Sequence, residues 1–322
     1  MPNHAAKEVL PVNLHKHRAV KAWRKLQPAW FETDRIEVLK LKTKSAVYRL
    51  RGVGPDGSAI IAKRCRTATA VVEQAIYDQF LTRLPLPVLS CHGLVMEPEG
   101  ESCWLFVEDA GPHAYSPALE EHRVLAGRWL GTVHRLLVSA ELQALLPDRG
   151  PAHYLKLLRS ARDVMLNLVE SPVLTAEEVG LLRTVLVRYR AIEARWDELE
   201  KFCGACPRTL VHGDFVIKNL RLRNGASPDK SGLLVYDWEM AGWGVPATDL
   251  AQSLGRCASP DLEAYWSAVG QNGSQTGIDE LRGLANFGKP APVGGQDFLG
   301  HGRHRRRDPR LSAAAHPGVE KL

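Results

Sequence analysis

The sequence predicts an α+β fold with two lobes, a small antiparallel β lobe with one helix followed by a larger helical lobe. Between residues 32 and 111, short runs rich in Val, Leu and Tyr alternate with turn signals, which is typical of strands joined by tight connections. From Pro117 onward, apolar residues recur three or four positions apart, which is the period of a buried helix face. A hairpin signal near 220–236 interrupts these helical stripes. The change of period near residue 112 therefore marks the boundary between the lobes.

The β lobe is predicted to contain five strands and one helix. The sequence GPDG at 54–57 is a strong turn signal, and Pro87 ends the helical pattern. In chain order, we expect strands at 35–41, 46–53 and 59–65, a helix at 69–84, and strands at 88–96 and 103–107.

The helical lobe is predicted from apolar stripes, which we interpret as core faces without chemistry. Thr175-Ala-Glu-Glu178 is a capping box that opens a helix. His134 lies in a stripe and is expected to be a buried packing histidine. The remaining elements are stripes at 119–138 and 154–168, a short strand at 209–211, hairpin strands at 220–222 and 233–236, and a helix from Ala247.

The two ends of the chain differ from the middle. Residues 14–26 show helical spacing, with Asn13 as the expected N-cap. After Gly288 the sequence is rich in Gly, Pro and Arg and shows no periodicity, which is typical of disorder. A reading-frame change near codon 288 is one interpretation of this tail, and a genuine disordered tail is the other. The expected segments are an N-terminal helical extension, the β lobe, the helical lobe and a basic tail, at 1–31, 32–111, 112–288 and 289–322.

Composition excludes some classes of protein. The formal net charge of the 322 residues is +6, and the two basic ends together carry more than this whole surplus. A specific nucleic-acid partner is therefore not expected, because the basic residues do not mark a folded binding face. The arginines at 303–310 could still bind polyanions nonspecifically. No apolar run is long enough to span a membrane, and no export signal precedes the six scattered cysteines. We expect reduced thiols and a cytoplasmic protein.

A polar loop motif follows the strand predicted at 209–211. It reads HGDFVIKN from His212 to Asn219, with Asp214 and Asn219 five residues apart. This is the spacing of a kinase catalytic loop, in which the aspartate meets the acceptor hydroxyl and the asparagine holds magnesium.

Phosphoryl transfer also needs a second carboxylate for the metal and a lysine for the phosphates. Asp237 ends the apolar strand of the hairpin, where its carboxylate can hold Mg²⁺ through oxygen. Lys63 lies within an apolar strand, where a charged side chain requires a partner, and Glu73 on the next helix can provide it.

Two further segments are candidates for nucleotide contacts. The sequence VEDAG at 107–111 closes the β lobe like a hinge, so backbone groups at Glu108 and Ala110 can bind adenine. Lys44 and Ser45 lie in the turn between the first two strands, where a kinase covers the phosphates with a glycine-rich loop. No GxGxxG motif occurs there. A basic, hydroxyl-bearing turn over the phosphates and an ordinary turn both remain open.

Taken together, LVHGDFVIKNL and LVYDWEMAGWGVPATDLA resemble the aminoglycoside phosphotransferase and choline kinase superfamily, over roughly residues 31–287. The resemblance implies a protein-kinase-like fold, a nucleotide-binding β lobe, ATP and Mg²⁺ as cofactors, and a hydroxyl of a small molecule as acceptor. It implies that Asp214 is the catalytic base or orients the acceptor, and that Asn219 and Asp237 are metal ligands. Lys63 would contact the phosphates while paired with Glu73.

One position departs from the family loop, which resembles HGDxxxGN. Lys218 stands in place of the glycine before Asn219. Its charge could meet a phosphate or an acidic acceptor, or its side chain could face solvent, and both interpretations remain open. Asp249, in the segment GVPATDLA, would support the catalytic loop structurally.

The sequence favours an ATP-dependent phosphotransferase that acts on a small molecule. The alternative is a non-catalytic, kinase-shaped binding protein or a disrupted gene product with an aberrant C-terminus. The complete set of catalytic residues argues against the first alternative, and the tail argues for the second. Fold and loop do not decide between aminoglycoside, choline, homoserine or sugar as acceptor, nor do they predict an oligomeric state.

Overall fold

A computed structural model describes residues 7–9, 13–27, 32–43, 45–223, 232–250 and 257–270. The chain divides into two units, Met1–Gly288 and Lys289–Leu322. The second unit, with the predicted disordered tail and the proposed frame change near 288, lies outside the described residues, and so does Lys44. Within the described residues, no helix is both long and apolar enough to cross a bilayer.

An antiparallel sheet forms the β lobe. Its strands in the described residues are β1 (Lys7–Val9), β2 (Arg35–Lys42), β3 (Ser45–Arg51), β4 (Ile60–Arg66), β5 (Cys91–Met96) and β6 (Ser102–Glu108). Their order across the sheet is β1-β2-β3-β4-β6-β5. The five predicted strands are confirmed with shifted ends. The sequence patterns miss β1, because three residues are too few to show a period.

The first helix, α1 (Arg18–Leu26), begins later than predicted. Its N-cap is His17, whose side chain accepts a hydrogen bond from the Ala19 N–H at 3.3 Å. The prediction of Asn13 as the cap of this helix is wrong, because Asn13 precedes a separate 3₁₀ turn at Leu14–Lys16 and its side chain caps nothing.

The second helix, α2 (Thr67–Ala75), is shorter than the predicted helix at 69–84. It widens into a π-helical turn at Ile76–Phe80 and tightens into a 3₁₀ turn at Leu81–Arg83. The same side chains remain inward through these turns, since Ile76 and Phe80 are both fully buried. Apolar spacing therefore identifies the buried face but not the change of hydrogen-bond pattern.

Alternation of side chains along the strands gives the sheet two different faces. One face packs on α1 through buried residues that include Trp23, Ile36, Leu50, Ile60, Trp104 and Phe106. The other face packs on α2 and is continuous with the core of the helical lobe. Lys63 belongs to this second face, because it lies directly opposite Leu105 of β6, which is part of that core.

The helical lobe combines long helices with short strands. Its elements within the described residues are α3 (Glu120–His134), α4 (Ala140–Gln143), β7 (Asp148–Arg149), α5 (Pro151–Val169), α6 (Ala176–Ala194), α7 (Trp196–Ala205), β8 (Thr209–Val211), β9 (Leu220–Arg223), β10 (Gly232–Val235), β11 (Gly242–Gly244), α8 (Ala247–Leu250) and α9 (Leu262–Val269). The predicted capping box is confirmed, with Thr175 and Glu178 each satisfying the other's backbone N–H.

The contact between α3 and α9 depends on two glycines. A Cβ atom at Gly127 would lie 2.2 Å from the carbonyl oxygen of Asp261, and one at Gly131 would lie 2.4 Å from that of Tyr265. Neither distance leaves room for a side chain, so the two helix backbones touch directly. This contact fixes α9 against the helix that follows the hinge.

The stripe predicted as a core face on α5 is only partly covered. No residue of α5 is fully buried, but the stripe residues Tyr154, Leu158, Ala161 and Met165 are partly buried and only Leu168 is exposed. On α6 only Leu186 is buried. The predicted stripes therefore lie on the inward sides of these helices, although their burial is mostly partial.

Short strands position the polar motifs. Strand β8 leads into His212, β9 and β10 form an antiparallel hairpin after Asn219, and Asp237 follows β10. Strand β11 pairs with β8, which returns the chain to the start of the motif. The loop at 212–219 and Asp237 are thus brought to one edge of the helical lobe, facing the β lobe.

Candidate active site

His212 is a structural anchor of the catalytic loop. His212 is only 1% exposed, and its Nδ1 accepts a hydrogen bond from the Asp214 N–H at 3.2 Å. Its Nε2 lies 3.1 Å from the carbonyl oxygen of Tyr236, so the ring proton resides on Nε2 and is donated there. Burial lowers the pKa of His212, which agrees with a neutral ring. The ring therefore ties the loop to the end of β10.

Asp249 supports the same loop from below, as the family resemblance predicts. Its carboxylate accepts the backbone N–H groups of His212 at 2.7 Å and Gly213 at 2.8 Å. The side chain of His134 lies 3.2 Å away through Nε2, and its Nδ1 lies 3.1 Å from the Tyr265 hydroxyl. Burial acts to raise the pKa of Asp249, but the hydrogen bonds from the His134 side chain and the His212 N–H outweigh it, so the pKa is lowered.

Gly213 allows the loop to pack closely on the segment after Asp237. Its φ is +75°, and a Cβ there would lie 2.4 Å from the carbonyl oxygen of Met240. A side chain would therefore be both strained and in contact with backbone. Both the backbone conformation and the close packing therefore require a glycine before Asp214, which the spacing of the motif alone does not show.

Asp214, Lys218 and Asn219 form one cluster. Asn219 is buried, and its Nδ2 donates to Asp214 at the backbone oxygen (2.9 Å) and at Oδ2 (3.0 Å). Lys218 Nζ lies 2.7 Å from the same Oδ2. Because the amide group of Asn219 is turned to Asp214, its Oδ1 is the atom that can serve a metal. Lys218 is half exposed to solvent and contacts Asp214 at the same time.

Lys63, Glu73 and Asp237 form a second cluster where the lobes meet. Lys63 Nζ lies 2.7 Å from Glu73 Oε2 and 2.5 Å from Asp237 Oδ1. Burial acts to lower the pKa of Lys63, but the two carboxylates outweigh it, so the pKa is raised and the ammonium stays charged. The predicted partners Lys63 and Glu73 thus lie together, and Asp237 joins them from the helical lobe.

Asp237 adopts an unusual backbone conformation. Its φ and ψ are 69° and 60°, a left-handed conformation that is rare for a residue other than glycine. Burial acts to raise its pKa, but the charge of Lys63 outweighs this and lowers it, so Asp237 is an anion. The turn directs the carboxylate back toward Lys63, which a continued strand after β10 would not do.

The donors fit a magnesium ion bound together with a nucleotide. Mg²⁺ prefers oxygen ligands, keeps several waters, and uses one or two carboxylates together with phosphates. Asp237 and Asn219 Oδ1 supply two oxygens of this kind. No group of three His, Cys, Asp or Glu residues able to hold a metal occurs within the described residues. The donor set therefore suits a cation shared with phosphates rather than a metal held by the protein alone.

The hinge is fixed by two ion pairs. Glu108 pairs with Arg223 of β9, and its backbone N–H donates to the Ser90 carbonyl at 2.9 Å. Arg49 Nε lies 2.6 Å from Asp109 Oδ2. The Glu108 N–H is therefore not free for adenine, which leaves the Glu108 carbonyl and the backbone of Ala110 as the expected contacts.

Of the two turn residues predicted to meet phosphate, the structure describes only Ser45. It begins β3 opposite Lys42 and shares the side of the strand that carries Val47, which is paired with Lys63. Ser45 is therefore on the face of the sheet that carries Lys63.

Sequence patterns miss several residues that hold these clusters. His134 is buried, as predicted, but it connects Tyr265 to Asp249 instead of only filling space. Arg49 and Arg223 hold the hinge. No pattern in a single sequence relates residues this far apart along the chain.

Comparison with known proteins agrees with this geometry. The model of the phosphotransferase enzyme family matches residues 16–284. The fold is similar to the GDP and kanamycin complex of APH(2")-IIia, with a TM-score of 0.56, 13% identity, and coverage of 83% of this chain and 87% of that one. No curated protein shows significant sequence similarity to the chain.

Two further solved structures share the fold. Spectinomycin phosphotransferase APH(9)-Ia, in complex with ADP and spectinomycin, has a TM-score of 0.53 at 12% identity, with coverage of 83% of this chain and 85% of that one. Plasmodium vivax ethanolamine kinase has a TM-score of 0.55 at 13% identity, with coverage of 86% and 80%. At these identities the likeness shows the fold alone. Because the family model covers most of the sequence, the chain belongs to the phosphotransferase enzyme family, and its fold is the two-lobed protein-kinase-like fold.

Proposed function

We propose that this protein is an ATP-dependent kinase that transfers the γ-phosphoryl group to a hydroxyl of a small molecule. Family and fold indicate a small-molecule phosphotransferase. The observation that carries the finer proposal is the meeting of Lys63 with Asp237 at 2.5 Å across the two lobes. A phosphate-binding lysine and a metal-binding aspartate have to lie close to each other around a nucleotide, and this contact brings the two side chains together.

Each cluster has one part in this reaction. Lys63, held by Glu73, would neutralise phosphate oxygens, and Asn219 and Asp237 would hold Mg²⁺, which would balance charge on the phosphates. Asp214 orients the acceptor hydroxyl and receives its proton. Catalysis of this kind is mostly positioning and electrostatic stabilisation, so the rigid support of the loop by Asp249 is directly useful. Adenine contacts come from Glu108 and Ala110, and Ser45 lies near the phosphates.

Reaction in the cytoplasm fits this proposal, since ATP is present there and the six cysteines are free thiols. The related structures were solved with GDP in one case and with ADP in another. The choice of ATP over GTP is therefore part of what has to be tested.

The test is nucleotide binding followed by turnover. Mg-ATP should raise the melting temperature of the purified protein, because a ligand that binds only the folded state stabilises it. ATP without Mg²⁺ should do so less, and Mg-GTP serves as the comparison. A coupled assay of ADP release against a library of hydroxylated metabolites then identifies the acceptor. A protein that is folded but shows no shift with either nucleotide would contradict the proposal.

A further inference from the structure

Lys218 is held in one place by its backbone while its side chain remains accessible. It lies in a 3₁₀ turn, Ile217–Asn219, and its carbonyl oxygen accepts the Tyr236 hydroxyl at 2.6 Å. Its neighbour Asn219 is buried, whereas the side chain of Lys218 is 52% exposed. It is not one of the non-glycine residues with positive φ, so the turn does not require the glycine of the family loop. The replacement therefore adds a charge without straining the loop.

The charge lies at Oδ2 of Asp214, next to the oxygen that an acceptor has to reach. Oδ2 of Asp214 already receives Lys218 Nζ at 2.7 Å and Asn219 Nδ2 at 3.0 Å. Oδ1 is the oxygen left to receive a hydroxyl proton. A hydroxyl bonded to Oδ1 lies within about 8 Å of Lys218 Nζ, given ordinary hydrogen-bond lengths. A substituent beside that hydroxyl that is directed toward Lys218 can come closer still.

The balance of charge around Asp214 points to one class of acceptor. Lys63 is committed to Glu73 and Asp237. Within the described residues, Lys218 has one ion pair, with Asp214, so the negative charge of the base is already balanced before an acceptor binds. An ammonium group beside the reactive hydroxyl would meet the Lys218 ammonium, whereas an anionic group would attract it. The exposed pair is weak, so Lys218 can turn from Asp214 to the acceptor.

We propose that Lys218 is a specificity-determining residue, and that the acceptor carries an anionic group, a carboxylate or a phosphate, beside the hydroxyl that is phosphorylated. This inference rests on the proposed function, because it names the substrate class of the same site. One unit charge at this distance changes affinity by roughly tenfold in a partly shielded site.

The test uses acceptors matched in structure and differing in charge. 3-Hydroxypropionate, ethylene glycol and ethanolamine place a carboxylate, a hydroxyl and an ammonium group at equivalent distances from the reactive hydroxyl. Glycerol 3-phosphate compared with glycerol measures the preference for a phosphate, and 3-hydroxypropionate compared with ethylene glycol measures the preference for a carboxylate. Any acceptor found in the library screen is classified in the same way. The variants are Lys218→Met, Lys218→Arg and Lys218→Glu, with Lys201→Met on the exposed surface of α7 as the control for a lost charge.

The anionic acceptors should have the highest kcat/KM in the wild type. Lys218→Met should raise their KM about tenfold with little change in kcat, Lys218→Arg should restore it, and Lys218→Glu should favour the ammonium acceptors. A wild-type preference for ammonium acceptors overturns the inference, as does an equal loss for all acceptors in Lys218→Met. Binding of Mg-ATP without turnover of any anionic acceptor also overturns it. If neither nucleotide binding nor turnover occurs, the proposed function itself fails and the inference falls with it.

Discussion

The junction of Lys63, Glu73 and Asp237 and the catalytic loop at 212–219 are held together by different means. The junction joins residues as much as 174 positions apart, and it exists only where the two lobes meet. The loop is held within the helical lobe by Asp249 and His212. The proposed nucleotide side of the site thus depends on the approach of the lobes, while the proposed acceptor side is organised by one lobe alone. Substitutions should therefore separate nucleotide binding from the chemical step.

The largest effect should come from the two aspartates of the site. Asp237→Ala should weaken Mg-ATP binding and abolish turnover together. Asp214→Ala should leave Mg-ATP binding nearly intact, while the single-turnover rate falls by about 10²–10⁴, the contribution of a positioned base. Titration calorimetry and rapid-quench kinetics measure the two quantities on variants first shown to be folded.

Glu239→Ala is the control for these variants, since Glu239 Oε2 lies 3.9 Å from Lys63 and its side chain is 40% exposed. Its effect should be milder than that of Asp237→Ala. An equal loss of ATP affinity in the two aspartate variants would contradict the division of roles between the regions. Normal turnover in Asp214→Ala would contradict the assignment of the protein as an enzyme of this mechanism.

The next largest effect concerns the support of the loop. Asp249→Ala removes the acceptor of two backbone N–H groups, so we expect the free energy of unfolding to fall by about 3 kcal/mol or more. Asp261→Ala is the matched control. Asp261 is the N-cap of α9, and its carboxylate accepts one backbone N–H, that of Ala264, at 2.8 Å. Loss of this cap should cost about 1 kcal/mol. Urea denaturation gives both values. Equal losses would show that Asp249 acts as an ordinary cap.

A smaller effect is expected where the loop packs on the segment after Asp237. Gly213→Ala combines a strained φ of +75° with a Cβ placed 2.4 Å from a carbonyl oxygen. Gly100→Ala has nearly the same φ, +74°, but its Cβ would meet nothing within 4 Å. The control should lose about 1–2 kcal/mol from the conformation alone. Gly213→Ala should lose more and should also lower turnover. Thermal unfolding and the ADP-release assay test this, and equal losses would exclude any role of the contact with Met240.

The smallest effect is a dependence of stability on pH. Burial lowers the pKa of His212 in the folded state, whereas in the unfolded chain it lies near about 6.5. Below that pH the unfolded state binds more protons than the folded state. As the pH is lowered, the free energy of unfolding should therefore fall by up to about 1.4 kcal/mol per pH unit until the folded-state pKa is reached. Urea denaturation between about pH 5 and 7.5 should show a flatter dependence for His212→Gln. The exposed His15→Gln should keep the wild-type slope, and a wild-type slope in His212→Gln would contradict the assignment.

The elements of the fold and the main polar residues of the site could be predicted because they have local signals. The spacing of Asp214 and Asn219, the strand before Asp237, and a lysine within an apolar strand are all local. Lys63 and Glu73 were paired by the order of their elements, and the structure has them 2.7 Å apart.

Contacts between distant segments could not be predicted in the same way. The contacts from Asp249 through His134 to Tyr265 and the pair of Arg49 with Asp109 depend on tertiary structure. Some local backbone conformations could not be predicted either. Examples are the left-handed turn at Asp237 and the π-helical turn after α2. The environment of Lys218 cannot be predicted from the sequence, because a single exposed charge belongs to no periodic pattern. Its partner became visible only once the loop was folded.

The glycine contact of α3 with α9 affects the order in which the two lobes fold during synthesis. The β lobe from β2 to β6 can be complete once the ribosome has released residues 35–108, because its strands pair with near neighbours in the chain. The face of α3 that contains Gly127 and Gly131 has no such neighbour and stays uncovered until 262–269 emerge. During that interval a nascent chain carries a paired β sheet and an open helical lobe. Synthesis therefore leaves the helical lobe, with its catalytic loop, exposed for longest to misfolding and to chaperones.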